Sequence, residues 1–139
     1  MRLAIVLSLL LLACASTSEE SAGLGTHSFR YSALSSEGKP LLTGQLAFRF
    51  IDNSTVAGTW TIGWADGADT TAVVGPQIGS GLLVGTRRGA MLAIQLNPDY
   101  ADNNVGLEAI RTSRGYAGHW VWTAITGPRT SGRFAAERE

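Results

Sequence analysis

Beyond residue 25 the side chains alternate between apolar and polar at period two, the repeat of a strand that buries one face. Leu42, Gly44, Leu46, Phe48 and Phe50 share one face of a segment whose other face carries Thr43, Gln45 and Arg49. Val56, Gly58, Trp60, Ile62 and Trp64 are opposed in the same way by Thr55, Ala57, Thr59 and Thr61. Tyr116, Gly118, Trp120, Trp122 and Ala124 repeat the pattern against Ala117, His119, Val121 and Thr123. Weaker alternation marks strands over 27–35, 81–86, 90–96, 105–112 and 131–138. Turn formers punctuate the series at Gly38-Lys39-Pro40, Asp52-Asn53, Asp66-Gly67, Arg88-Gly89, Asn97-Pro98-Asp99, Arg114-Gly115 and Gly127-Pro128. The stretch 66–80 is the one place for a larger loop or an irregular strand. Sustained helical spacing is missing after the N-terminus. The expectation is an all-β chain: a single antiparallel meander of about eight strands over 26–139, closed into a small β-barrel, with a β-sandwich as the alternative.

A short motif supports closure. A small residue, Gly, any residue and a large apolar residue occur in that order at Thr43–Leu46, Ala57–Trp60, Ala117–Trp120 and Ser131–Phe134. Gly44 and Gly58 are 14 residues apart, as are Gly118 and Gly132, and the two pairs are offset by 74. Two similar hairpins, one early and one late, account for that spacing. An inward glycine frees the space a tightly coiled sheet needs, and the large neighbour covers the gap.

Eight strands could also span an outer membrane with the tryptophan faces toward lipid. The tryptophans do not sit at both strand ends as interfacial girdles, and the chain closes on Glu137-Arg138-Glu139 without a terminal aromatic. The tryptophans are therefore expected inside.

The N-terminus reads differently. Arg2 precedes an apolar run from Leu3 to Ala13 relieved only by Ser8, about half the roughly 20 residues a spanning helix needs. The run ends in Leu11-Leu12-Ala13-Cys14, which resembles the lipobox of bacterial lipoproteins. The resemblance implies a signal peptide over 1–13, cleavage before Cys14, and acylation (palmitate-type chains) of that cysteine, the only one in the chain. With no second thiol an internal disulfide is impossible, and lipidation would consume the sulfur. Ala15 stands after the cysteine where an Asp would retain a lipoprotein at the inner membrane, so the resemblance implies the outer membrane. Residues 14–25 are small, polar and glycine-rich, the composition of a flexible tether.

Removal of 1–13 leaves 10 basic and 11 acidic side chains. The arginines are spread along the sequence, and this balance gives no electrostatic footprint for nucleic acid or for an anionic membrane surface.

Chemistry-bearing residues are few. Asn97, Asp99, Asp102, Asn103 and Asn104 gather side-chain oxygens in eight residues and make a weak calcium candidate; without the EF-hand glycine and closing Glu they read better as turn formers. Asp66 and Asp69 pose the same choice. His27 and His119 are too few for zinc, and no Gly-x-Ser-x-Gly elbow is present. No cofactor and no enzymatic activity are expected. Trp60, Trp64, Trp120 and Trp122 share an inward phase and either pack the core or line a pocket for an apolar ligand.

The segment Leu96–Val105, followed by a Gly-x-Trp and a Gly-x-Phe strand, resembles a stretch in uncharacterised bacterial lipoproteins, over about residues 90–138. The architecture is similar to lipocalin and avidin barrels, but Gly58-Thr59-Trp60 falls in the third strand, not the first, and no binding residue carries over. The expected function is that of a lipid-anchored, non-enzymatic cell-envelope lipoprotein. Binding of a small apolar ligand is one expectation, and a structural or protein-interaction role through loops such as 66–80 is the other.

Overall fold

A computed structural model describes residues 25–139. The chain is all-β, with eight strands: β1 (His27–Ser35), β2 (Pro40–Phe50), β3 (Thr55–Trp64), β4 (Gly79–Arg88), β5 (Met91–Gln95), β6 (Asn103–Thr112), β7 (Gly115–Ala124) and β8 (Gly127–Arg138). Each pairs antiparallel with the next, and β1 pairs with β8, so the meander closes into a barrel. Full closure leaves no open sheet edge. The expected signal peptide, Cys14 and nearly all of the expected tether lie outside the described residues.

Several strands begin earlier than alternation alone indicates. Pro40, Gly79, Asn103, Gly115 and Gly127 each open a strand although their residue types favour turns. Pro128 sits inside β8 opposite Thr123, where the register shifts between Trp122 and Thr123; an irregular pair tolerates a residue that has no N–H to give the ladder.

Inward faces follow the alternation. Phe29, Tyr31, Leu42, Leu46, Phe48, Trp60, Leu107, Trp120 and Phe134 are buried in one contiguous core. Phe29 stacks on Phe48 with ring centroids 4.7 Å apart, and Tyr116 meets Phe29 edge-on at 5.7 Å. Outward positions on β1–β3, such as Arg30, Ser32, Thr43, Gln45 and Thr59, are exposed and polar, where a lipid-spanning wall needs apolar side chains.

Four motif glycines make the tight approaches. A Cβ on Gly44 would run into the carbonyl oxygen of Thr61, one on Gly58 into that of Ala47, one on Gly118 into that of Glu108, and one on Gly132 into that of Leu34. The glycines let neighbouring backbones close in as the sheet coils. The two hairpins that carry the motif are β2–β3 and β7–β8. They share spacing but not register: Gly118 faces Phe134, whereas Gly44 faces Ile62 and Leu46 faces Trp60. The slip is two residues, so every side chain keeps its face.

In a closed meander successive turns alternate between rims. The near rim, where β1 begins, carries the connections at 51–54, 89–90 and 113–114. The far rim carries those at 36–39, 65–78, 96–102 and 125–126.

Candidate functional site

The tryptophans separate into two pairs. Trp60 and Trp120 are buried at 4% and 1% exposure. Each lies directly across from a glycine, Gly81 and Gly132 respectively, and each indole covers the space that glycine leaves. The Trp60 indole N–H then donates to the carbonyl of Leu96, and that of Trp120 to the carbonyl of Leu34 at 3.0 Å. Both polar tips are thus satisfied by wall backbone, and the two rings brace the barrel from within. Trp64 and Trp122 are half-buried at the far rim. Trp122 donates its N–H to Oδ1 of Asn103 at 2.7 Å and lies against the backbone of Gly75, where a Cβ would strike its ring.

Gly75 belongs to the long connection 65–78, which folds over the far mouth. Its anchor is Gln77, wholly buried, and the single polar residue among the described ones that is fully withdrawn from solvent. The Tyr31 hydroxyl donates to Gln77 Oε1 at 3.2 Å, and Gln77 Nε2 donates to the carbonyl of Val74 at 2.7 Å. Asn97 Nδ2 donates to the carbonyl of Pro76 at 2.7 Å, tying the loop to its neighbour. Burial pushes the Tyr31 hydroxyl well above its ordinary value near 10. Sequence reasoning missed both halves of this pair. Gln77 lies outside any alternating run, and an inward Tyr reads simply as core.

The oxygen-rich segment 97–104 is spent on its own turn. Asn104 Oδ1 accepts the N–H of Asn97 at 3.1 Å, and its Nδ2 donates to Gln95 Oε1 at 3.2 Å. Asn103 is held by Trp122, and Asp99 and Asp102 point to solvent. Among the described residues no group of three or more His, Cys, Asp or Glu could hold a metal ion. Asp69 closes a turn through the Thr71 hydroxyl at 2.6 Å and the Thr71 N–H at 2.9 Å, which hold its carboxyl below the usual range. Asp52 does likewise on the near rim. The backbone N–H of Ser54 leads the bonds from Ser54 and Thr55 that lower it to about 2.

The far rim also presents apolar surface. Val73 (58% exposed) and Ile78 stand on the long loop, Tyr100 (63%) on the next, and Ile125 (80%) at the last turn. Around them lie Glu37, Asp66, Asp69, Asp99 and Asp102, against Lys39, Arg129 and Arg133. Arginines that are scattered in sequence gather elsewhere. Arg49, Arg87, Arg88, Arg111 and Arg114 flank the three near-rim connections, and Arg30 and Arg138 lie at the near ends of β1 and β8. The charge map read from the sequence is therefore corrected. The near-neutral total conceals a basic near rim and an acidic far rim, and comparing alternate turns of the meander finds it.

The molecule is thus an eight-stranded antiparallel barrel whose inward side chains form one buried core cluster, with one mouth covered by a loop. No protein-family profile, no curated protein and no solved structure matches the chain.

Proposed function

We propose that the chain is a lipid-anchored lipoprotein of the bacterial cell envelope, attached through Cys14 at the outer membrane. In this reading it is not an enzyme: it holds the far-rim loops on a rigid barrel so that they engage an envelope protein. The supporting observation is the occupied interior. Trp60 and Trp120 are tied to wall carbonyls, and Gln77 fills the far mouth, so an internal apolar ligand would have to displace bonded side chains. The loops need no such displacement. Val73, Tyr100 and Ile125 give an apolar centre, and the surrounding carboxylates favour a partner with a basic face.

Photocrosslinkers placed at Val73 and Tyr100 in cells test the reading. One discrete protein adduct from both positions, missing from a probe at Thr59 on the barrel wall, is the expected outcome. Adducts spread evenly over all three positions would count against it. Titration with small apolar compounds discriminates the ligand alternative: saturable quenching of the buried tryptophans would favour a cavity over the loops. Mass spectrometry of the native protein reads the acyl chains on Cys14 directly.

A further inference from the structure

The near rim combines two features, an excess of arginine and exposed aliphatic side chains. The first is charge. Arg49 leads into the 51–54 connection, Arg87 and Arg88 into 89–90, and Arg111 into 113–114, of which Arg114 is part. Arg30 and Arg138 complete the ring on adjoining strands, with Asp52, Glu137 and Glu139 as carboxylates at this rim and Glu108 in the hollow beside Arg88 and Met91. Arg114 and Glu137 pair at 3.0 Å, and Arg87 stacks over the Phe50 ring at 4.2 Å while donating to the carbonyl of Asn53. Positive charge remains in excess, and Arg49 and Arg88 are exposed.

The second feature is exposed aliphatic surface at the same height. Ile51 (54% exposed) stands on the first near-rim connection, and Met91 (64%) pairs with Arg88 on one side and Ile110 on the other. Large apolar side chains among arginines suit a surface with anionic phosphates outside and hydrocarbon beneath.

We infer that the near rim docks on an anionic lipid bilayer, with arginines on lipid phosphates and Ile51, Met91 and Ile110 entering the interface. The inference rests on the envelope reading for the presence of a bilayer and deepens it by fixing which end meets the membrane. The directions agree: β1 enters the barrel from the near rim. Ten residues lie between Cys14 and Gly25, a reach of eleven Cα steps, so a lipid on Cys14 keeps this rim within at most about 40 Å of the bilayer. Steering needs such proximity, because charge is screened within about 8 Å at physiological salt. With the near rim docked, the acidic far rim stands a strand's length from the surface and faces outward.

The test uses the whole mature chain from residue 14 with Cys14→Ser, so that no acyl chain contributes to binding. It is sedimented with vesicles of phosphatidylcholine alone and of phosphatidylcholine mixed with phosphatidylglycerol. Binding to the mixed vesicles only, abolished by high salt, is expected. Arg49→Gln and Arg88→Gln should each weaken it about fivefold, Met91→Ser should weaken it further, and the far-rim pair Lys39→Gln and Arg129→Gln should leave it unchanged. Circular dichroism confirms that each variant keeps its strands. Equal binding to both vesicle types, equal loss from the far-rim pair, or no binding by a folded chain overturns the inference. So does retention of the near rim by an acidic protein without preference among vesicles. An unmodified Cys14 in the native protein, found alongside intact vesicle selectivity, would remove the anchor and leave the rim.

Discussion

A methyl group on Gly118 would collide with the carbonyl of Glu108 on the neighbouring strand, whereas one on Gly106 would meet nothing. Both are strand glycines, so the pair separates space from propensity. Gly118→Ala should cost about 1–3 kcal/mol by overpacking and lower the melting temperature accordingly, while Gly106→Ala should change it little; thermal unfolding followed by circular dichroism reads both. Tyr31 offers a second test at this scale. Its hydroxyl stays protonated in the folded barrel past the pH near 10 at which the unfolded chain ionises. Its contribution is complete below that pH and is lost as pH rises toward the folded value, so stability should fall on the alkaline side. Tyr31→Phe should flatten that limb of a denaturant–pH series. The close approaches were legible in the sequence because each motif sets a glycine in an inward phase, but the covering side chain was not, since Trp120 crosses to Gly132 and Trp60 to Gly81 from neighbouring strands. Gln77 was not, because a lone amide between Pro76 and Ile78 has no periodic neighbour to reveal its direction.

The strands were legible as elements, for alternation and turn residues agree over most of the chain. What sequence could not supply was the register between hairpins. Equal spacings in β2–β3 and β7–β8 leave a two-residue slip undetermined, because any even slip keeps the same faces inward. The connection 65–78 was legible only as a long interruption. Its function as a plug depends on Tyr31, contributed by a strand 46 residues away. Gln77→Met should leave the Tyr31 hydroxyl unpartnered and cost about 1–3 kcal/mol. The double variant Tyr31→Phe/Gln77→Met should cost less than the sum of the single ones, since removing both partners strands neither. Urea unfolding of the four proteins gives the coupling, and strictly additive costs would mean that the loop is held by other contacts.

For the molecule as a whole, segregation of charge matters more than its total. A chain that is neutral on paper becomes a barrel with a basic and an acidic end, because a meander returns every second turn to the same rim. That makes orientation measurable. If the proposed lipid anchor and docking hold, a fluorophore on cysteine introduced at Asn53 should be quenched by brominated lipid, and one at Asp102 should not; equal quenching would mean that the barrel lies on its side.

Closure of β1 on β8 has one more consequence. The backbone N–H of Glu139 donates to the carbonyl of Ser28 at 3.2 Å, so the two ends of the folded region are neighbours on one rim. A short peptide could splice them, and the circle could be reopened between Tyr100 and Ala101 without breaking a single strand pairing. Such a circular permutant would begin and end at the opposite pole, so a segment fused to its N-terminus would leave the barrel from the other mouth.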